Sequence, residues 1–127
     1  MSFENNSKDW LERALKNGVP ASVQAFSFNL FEYPETSQVK FGIELIGAET
    51  FDASNSDWAC NEIWEPEQRT LEIPTTFSGQ GWEECLARLK ELVLDVLGGA
   101  PAGKILKSRS GVGIGFVDGD LEVVWQS

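Results

Sequence analysis

Few residue types in this chain can do chemistry. It has no histidine, which removes Ser-His and Cys-His nucleophilic pairs, imidazole metal sites and the commonest general base. Carboxylates, lysines, two cysteines and one tyrosine remain. A carboxylate pair can run glycoside hydrolysis, but among twenty acids some pair falls within several ångströms by chance, so pairing alone is no signature. Cys60 and Cys85 stand 25 positions apart with no Cys-x-x-Cys motif. Neither a disulfide framework nor a zinc site is expected, and both read as reduced cytosolic thiols without an activating neighbour. Cys85 falls on an apolar helical stripe, the place of a small buried hydrophobe.

Three further motifs invite a ligand reading and fail it. Gly111-Val112-Gly113-Ile114-Gly115 shares its glycine spacing with phosphate loops, yet no Lys-Ser/Thr follows and no helix opens after it. Alternation explains it better: Val112, Ile114 and Phe116 enter the core, while the glycines form the opposite face and let an aromatic ring or a backbone approach. Asp52-Ala53-Ser54-Asn55-Ser56-Asp57 begins like a calcium loop, but Asp57 stands where the turn needs glycine and Ile63 where a bidentate glutamate is required. Asp118-Gly119-Asp120 with Glu122 reads as a type I′ hairpin turn before it reads as a cation site. No catalytic residue, cofactor or metal ligand is therefore expected.

What rises above this background is charge. Between Lys40 and Arg69 lie seven acids, Glu44, Glu49, Asp52, Asp57, Glu62, Glu65 and Glu67, and no base. Phe51, Trp58 and Trp64 are interleaved with them. Aromatic anchors among carboxylates are what a tight protein interface uses, the rings for desolvated contact and the acids for steering and pairing with Arg or Lys. The same pattern arises when Trp58 and Trp64 enter the core and the acids form a solvated face, and both readings stand. As a strand, Trp58, Cys60, Glu62 and Trp64 share one side, so either that face is partly open or Glu62 has a partner. The net charge of −10 repels nucleic acid and anionic lipid and attracts a cationic protein.

The elements that must position these residues follow from periodicity. Trp10, Leu11, Ala14 and Leu15 fall on one face of a short helix over Ser7–Asn17, with Ser7 as N-cap and Gly18 beyond its end. Ser22–Tyr33 and the alternating Val39, Phe41, Ile43 and Leu45 form an antiparallel hairpin about the turn Pro34-Glu35-Thr36-Ser37. Two short strands follow, around Trp58–Trp64 and Thr70–Ile73. The long helix, about residues 80–98, carries Trp82, Cys85, Leu86, Leu89, Val93, Val96 and Leu97 on one face, pairs Glu84 with Arg88, and ends at Gly98-Gly99 before Pro101. The last hairpin sets Phe116 against Leu121, Ile114 against Val123 and Val112 against Trp125. The expectation is one α+β domain, residues 1–127, with a mostly antiparallel sheet of five to seven strands, the long helix on one face and a short N-terminal helix. Met1–Asp9 is polar and acidic, and no apolar run approaches the roughly 20 residues that cross a bilayer; a cytoplasmic protein without membrane contact is expected.

With this size, acidity and element order, and with the closing Gly113-Ile114-Gly115-Phe116-Val117-Asp118-Gly119-Asp120-Leu121-Glu122-Val123-Val124-Trp125, the chain resembles bacterial immunity proteins of contact-dependent and other polymorphic toxin systems. That resemblance implies no catalysis but stoichiometric inhibition of a cognate, basic, nuclease-type toxin domain. Glu49, Asp52, Asp57, Glu62, Glu65 and Glu67 are then the ion-pairing residues and Trp58 and Trp64 the anchors. Two other readings stay open. A chaperone for a secreted effector has similar size and acidity but usually ends in a helix, and a carboxylate enzyme or small-ligand binder would need a deep pocket between sheet and long helix.

Overall fold

In the computed structural model, which describes residues 2–35, 38–99 and 101–127, helix α1 spans Phe3–Lys16. It starts earlier than its apolar stripe predicts because Ser2, not Ser7, is the cap: the Ser2 hydroxyl accepts from the Asn5 N–H at 3.2 Å. Phe3 thereby joins Trp10 on the buried face, and Ser7, buried between them, donates to the Glu4 carbonyl at 2.8 Å. Gly18, with φ +90°, ends the helix in the left-handed region that suits glycine.

The next strands form the expected hairpin, β1 (Ala25–Glu32) against β2 (Phe41–Ala48); Thr36 and Ser37 of its turn lie outside the described residues. The Trp58–Trp64 segment is not one strand. Ser56–Cys60 is a 3-10 helix, and only Glu62–Trp64 pairs with β2, as β3. Side-chain bonds to nearby backbone account for the difference. Asp52 accepts from the Ser54 N–H and hydroxyl at 2.9 and 2.7 Å, and Asn55 accepts from the Asp57 N–H at 3.0 Å, so the backbone turns instead of extending. Strand β4 (Thr70–Ile73) pairs with the other half of β2.

A single turn, α2 (Thr75–Ser78), precedes α3 (Trp82–Gly99). The α3 stripe is buried at Cys85, Leu89, Leu92, Val93, Val96 and Leu97, and Glu84 pairs with Arg88 at 3.1 Å. Trp82, expected on that stripe, is 54% exposed. The chain then makes one more helix, α4 (Pro101–Leu106), which periodicity missed. Pro101 is its first residue, where proline costs no hydrogen bond, and Gly103 lies so close to α3 that a Cβ there would overlap the Val96 carbonyl.

Strands β5 (Gly111–Phe116) and β6 (Glu122–Gln126) close the sheet. Its order is β3-β2-β1-β5-β6 with β4 also on β2, and only the β1–β5 pairing is parallel. Val112 opposes Trp125 as expected, but a bulge follows, so Gly113 meets Val123 and Ile114 meets Glu122. The connection is not a type I′ turn, since that needs positive φ at both Asp118 and Gly119, and among the described residues only Gly18 and Gly79 have it. Instead the Gly119 N–H closes on the Phe116 carbonyl at 3.0 Å. The longer loop and the bulge send Leu121 to the opposite face from Val124 and Trp125, where six aligned side chains were expected.

The helices cover one face of the sheet. There Phe26, Phe28, Leu30, Ile43, Leu45, Val112 and Ile114 pack against Trp10, Leu15, Leu89 and Val96 in the main core. The other face carries a smaller cluster of Ala25, Ile46, Ala48 and Trp58, flanked by Phe51, Ala59 and Leu121. The glycines of β5 make this possible: a Cβ at Gly111 would overlap the Phe51 ring, and one at Gly113 would sit 3.0 Å from Trp58.

Candidate functional site

The second cluster fixes a loop. Residues 49–61 leave β2 and return to β3, and their base is closed by the Glu49 N–H on the Asn61 carbonyl at 2.9 Å and the Asn61 amide on the Thr50 hydroxyl at 2.8 Å. From beneath, the loop is held by Phe51 and Trp58, whose rings meet edge to face at 5.2 Å between centroids. Trp58 is 3% exposed. Of its two readings the core one applies, and its buried indole N–H has no hydrogen-bond partner among the described residues. Glu49, Asp52 and Asp57 remain on the exposed side of the loop, and none has a cation within ion-pair distance among the described residues. The Ser54 hydroxyl and N–H hold the Asp52 carboxyl below its ordinary range.

Beside the loop, three carboxylates converge on one guanidinium. Arg69 Nε donates to Glu44 at 2.9 Å, its Nη2 donates to Glu62 at 2.8 Å, and Nη1 reaches both Glu62 and Glu65. Bonds to Glu62 and then Glu44 raise the Arg69 pKa despite partial burial, so the guanidinium keeps its charge at every accessible pH. The node extends inward on the helix-free face: Glu44 accepts from the Asn29 amide at 3.0 Å, and Asn29 Oδ1 accepts from the buried Ser27 hydroxyl at 2.7 Å. Glu62 thus does have a partner. The node holds one positive and three negative charges, a net of −2 (1 − 3).

The structure therefore divides the acidic block. Glu49, Asp52 and Asp57 stand on the loop, and Glu62 and Glu65 meet at Arg69 with Glu44. Glu67 faces elsewhere, into a cavity of about 560 Å³ shared with Trp10, Arg13 and Lys16 of α1. Trp64 is half-buried, edge to face with Phe26 at 6.0 Å in the main core. Sequence reasoning missed Arg69 as a hub because it stood only as the boundary of the acidic run, and missed Trp82 because its spacing from Cys85 matched the buried stripe. The signal for Arg69 was its isolation, one base after seven acids.

Among the described residues no group of three or more His, Cys, Asp or Glu side chains is placed to hold a metal ion. Burial pushes the Cys85 thiol up to about 12, which leaves it un-ionised and inert at neutral pH. Burial, and then the nearby Glu72, raise the Tyr33 hydroxyl. No helix is long and apolar enough to cross a membrane among the described residues. No family model, curated protein or solved structure matches the chain.

Proposed function

We propose that this chain acts by binding a cationic protein through loop 49–61 and the adjoining Arg69 node, in the manner of an immunity protein that neutralises a basic toxin domain. The observation that carries the reading is the placement of Glu49, Asp52 and Asp57. They are exposed and uncompensated, yet they sit on a loop tied at its base and held by Phe51 and Trp58. A preorganised loop loses little conformational freedom on docking, so more of the interaction energy appears as affinity. The node adds two further carboxylates, Glu62 and Glu65, already oriented by Arg69. Docking of this edge over a cationic cleft excludes the cleft's substrate by occupancy alone and needs no catalytic group. Opposite charge also accelerates encounter, on the order of 10⁸ M⁻¹s⁻¹ at low salt.

The test is a pull-down from lysate of the source organism at low and moderate salt, with any co-encoded toxin fragment added. The expected result is one basic partner at stoichiometric ratio. The triple variant Glu49→Lys, Asp52→Lys, Asp57→Lys should abolish its capture while keeping the circular-dichroism spectrum. Unchanged affinity in that variant, or recovery of self-associated chain alone, refutes the reading.

A further inference from the structure

At the end of the sheet remote from loop 49–61, Trp82 opens α3 with 54% of its surface exposed. Of the five tryptophans it alone falls in the exposed class. Its ring is nevertheless held. It stands edge to face on Phe116, with centroids 6.2 Å apart and planes at 87°, and Phe116 stands likewise on the buried Phe41 at 5.6 Å. Trp82 and Phe116, with Glu32, Asp118 and Gly119, line a cleft of about 230 Å³. Glu32 and Asp118 are exposed and have no ion-pair partner among the described residues. Lys40, in the neighbouring segment, is engaged by the Gln80 carbonyl.

We infer that this cleft receives an arginine side chain of a partner protein, its guanidinium stacked on Trp82 and bonded to Glu32 and Asp118. An indole face attracts cations, and a planar guanidinium both stacks on it and matches carboxylate geometry bidentately, whereas a lysine ammonium is attracted to the face as a point charge but does neither. An anion would meet two carboxylates, and a purely apolar side chain would strip water from them without replacing their hydrogen bonds. A second copy of the chain, at net charge −10, is repelled. The site is independent of the acidic loop. Ala25 pairs with Ala48 at the loop end of the sheet, and Glu32 with Phe41 at the cleft end; the length of β1, about 23 Å at 3.3 Å per residue, lies between them.

The experiment is a ¹H–¹⁵N titration with N-acetyl-arginine amide, and with the isosteric N-acetyl-citrulline amide as the uncharged control. The arginine compound should saturate shifts of the Trp82 indole N–H and the Asp118 and Gly119 amides in the millimolar range, and the citrulline compound should not. Trp82→Ala should abolish the effect. Glu32→Gln with Asp118→Asn, which leaves the aromatic stack intact, should weaken binding about tenfold. Equal shifts with citrulline, shifts confined to loop 49–61, or full affinity in the Glu32→Gln, Asp118→Asn variant overturn the inference. A dimer in sedimentation that Trp82→Ala dissolves would assign the cleft to a second copy and overturn it too.

Discussion

Replacing Arg69 by methionine strips three carboxylates of their shared partner, and the cost can be worked from their exposure. Glu44 is the most enclosed, with 17% of its side chain exposed. Losing its charge partner costs about 2 kcal/mol, between the ~0–1 of surface pairs and the ~3–5 of fully buried ones. The Asn29 amide still satisfies one Glu44 oxygen, which keeps the figure from the upper limit. Glu62, at 34% exposure, adds about 0.5–1 kcal/mol, and Glu65, at 53%, a few tenths at most. The sum is about 3 kcal/mol, including the repulsion the guanidinium had screened. With a urea slope of about 1–3 kcal/mol per M, the midpoint of unfolding should fall by roughly 1–3 M. Urea denaturation followed by circular dichroism reads it directly. Adding Glu44→Gln to Arg69→Met should recover at least about 1 kcal/mol, because the partly buried unpaired charge disappears. A midpoint within about 0.2 M of the parent in Arg69→Met, or a double variant less stable than the single, would refute the account of the node as one coupled unit.

Other consequences are as direct. Gly111→Ala places a Cβ within the Phe51 ring and should destabilise by about 1–3 kcal/mol; Gly113→Ala, 3.0 Å from Trp58, should cost less, and the reverse order in thermal melts would contradict the packing of the second cluster. Trp58→Ala should cost about 3–5 kcal/mol, while Trp58→Phe costs much less, because the indole N–H it removes has no partner to lose. Ellman's reagent at pH 8 should titrate exposed Cys60 and leave buried Cys85 untouched until the chain unfolds. Because the folded Cys85 pKa lies above the unfolded value, its contribution to stability is complete below about pH 8.5 and is lost as pH rises toward about 12. Cys85→Ala should flatten that alkaline slope, and an unchanged slope would argue against burial.

Regular periodicity was the legible part of this chain. The α3 stripe, the β1–β2 alternation and the glycine face of β5 each repeat over enough residues to outweigh local chemistry. Two of the misreadings fall in short segments where side chains bond to nearby backbone or aromatic spacing imitates a pattern. Asp52 and Asn55 turn the chain where Trp58 and Trp64 suggested a strand. Trp82 keeps helical spacing with Cys85 but lies in the first turn of α3, against the end of the sheet at Phe116, where no layer covers it. The convergence at Arg69 joins β2, β3 and the turn before β4. Such a contact depends on strand order, which no local pattern encodes.

A simpler role for the acids must also meet the geometry. Strand β3 is an edge, three residues long, with Ile63 42% exposed, and charged residues on a short edge strand keep it from pairing with another chain. Edge protection accounts for Glu62 and Glu65, and Arg69 relieves their repulsion. It does not account for Glu49, Asp52 and Asp57, which belong to no strand and lie on a loop whose fixed position depends on two aromatic rings and two strand glycines, Gly111 and Gly113. A loop needed only for solubility gains nothing from being rigid, since solvated carboxylates repel equally well from a mobile chain. Rigidity matters when the charges must match a particular surface. Neutralising Glu62 and Glu65 should therefore add self-association at high protein concentration to a weakened partner affinity, whereas neutralising the loop acids should weaken partner affinity with solubility intact; if both sets promoted self-association alike, the division between edge and loop would fail.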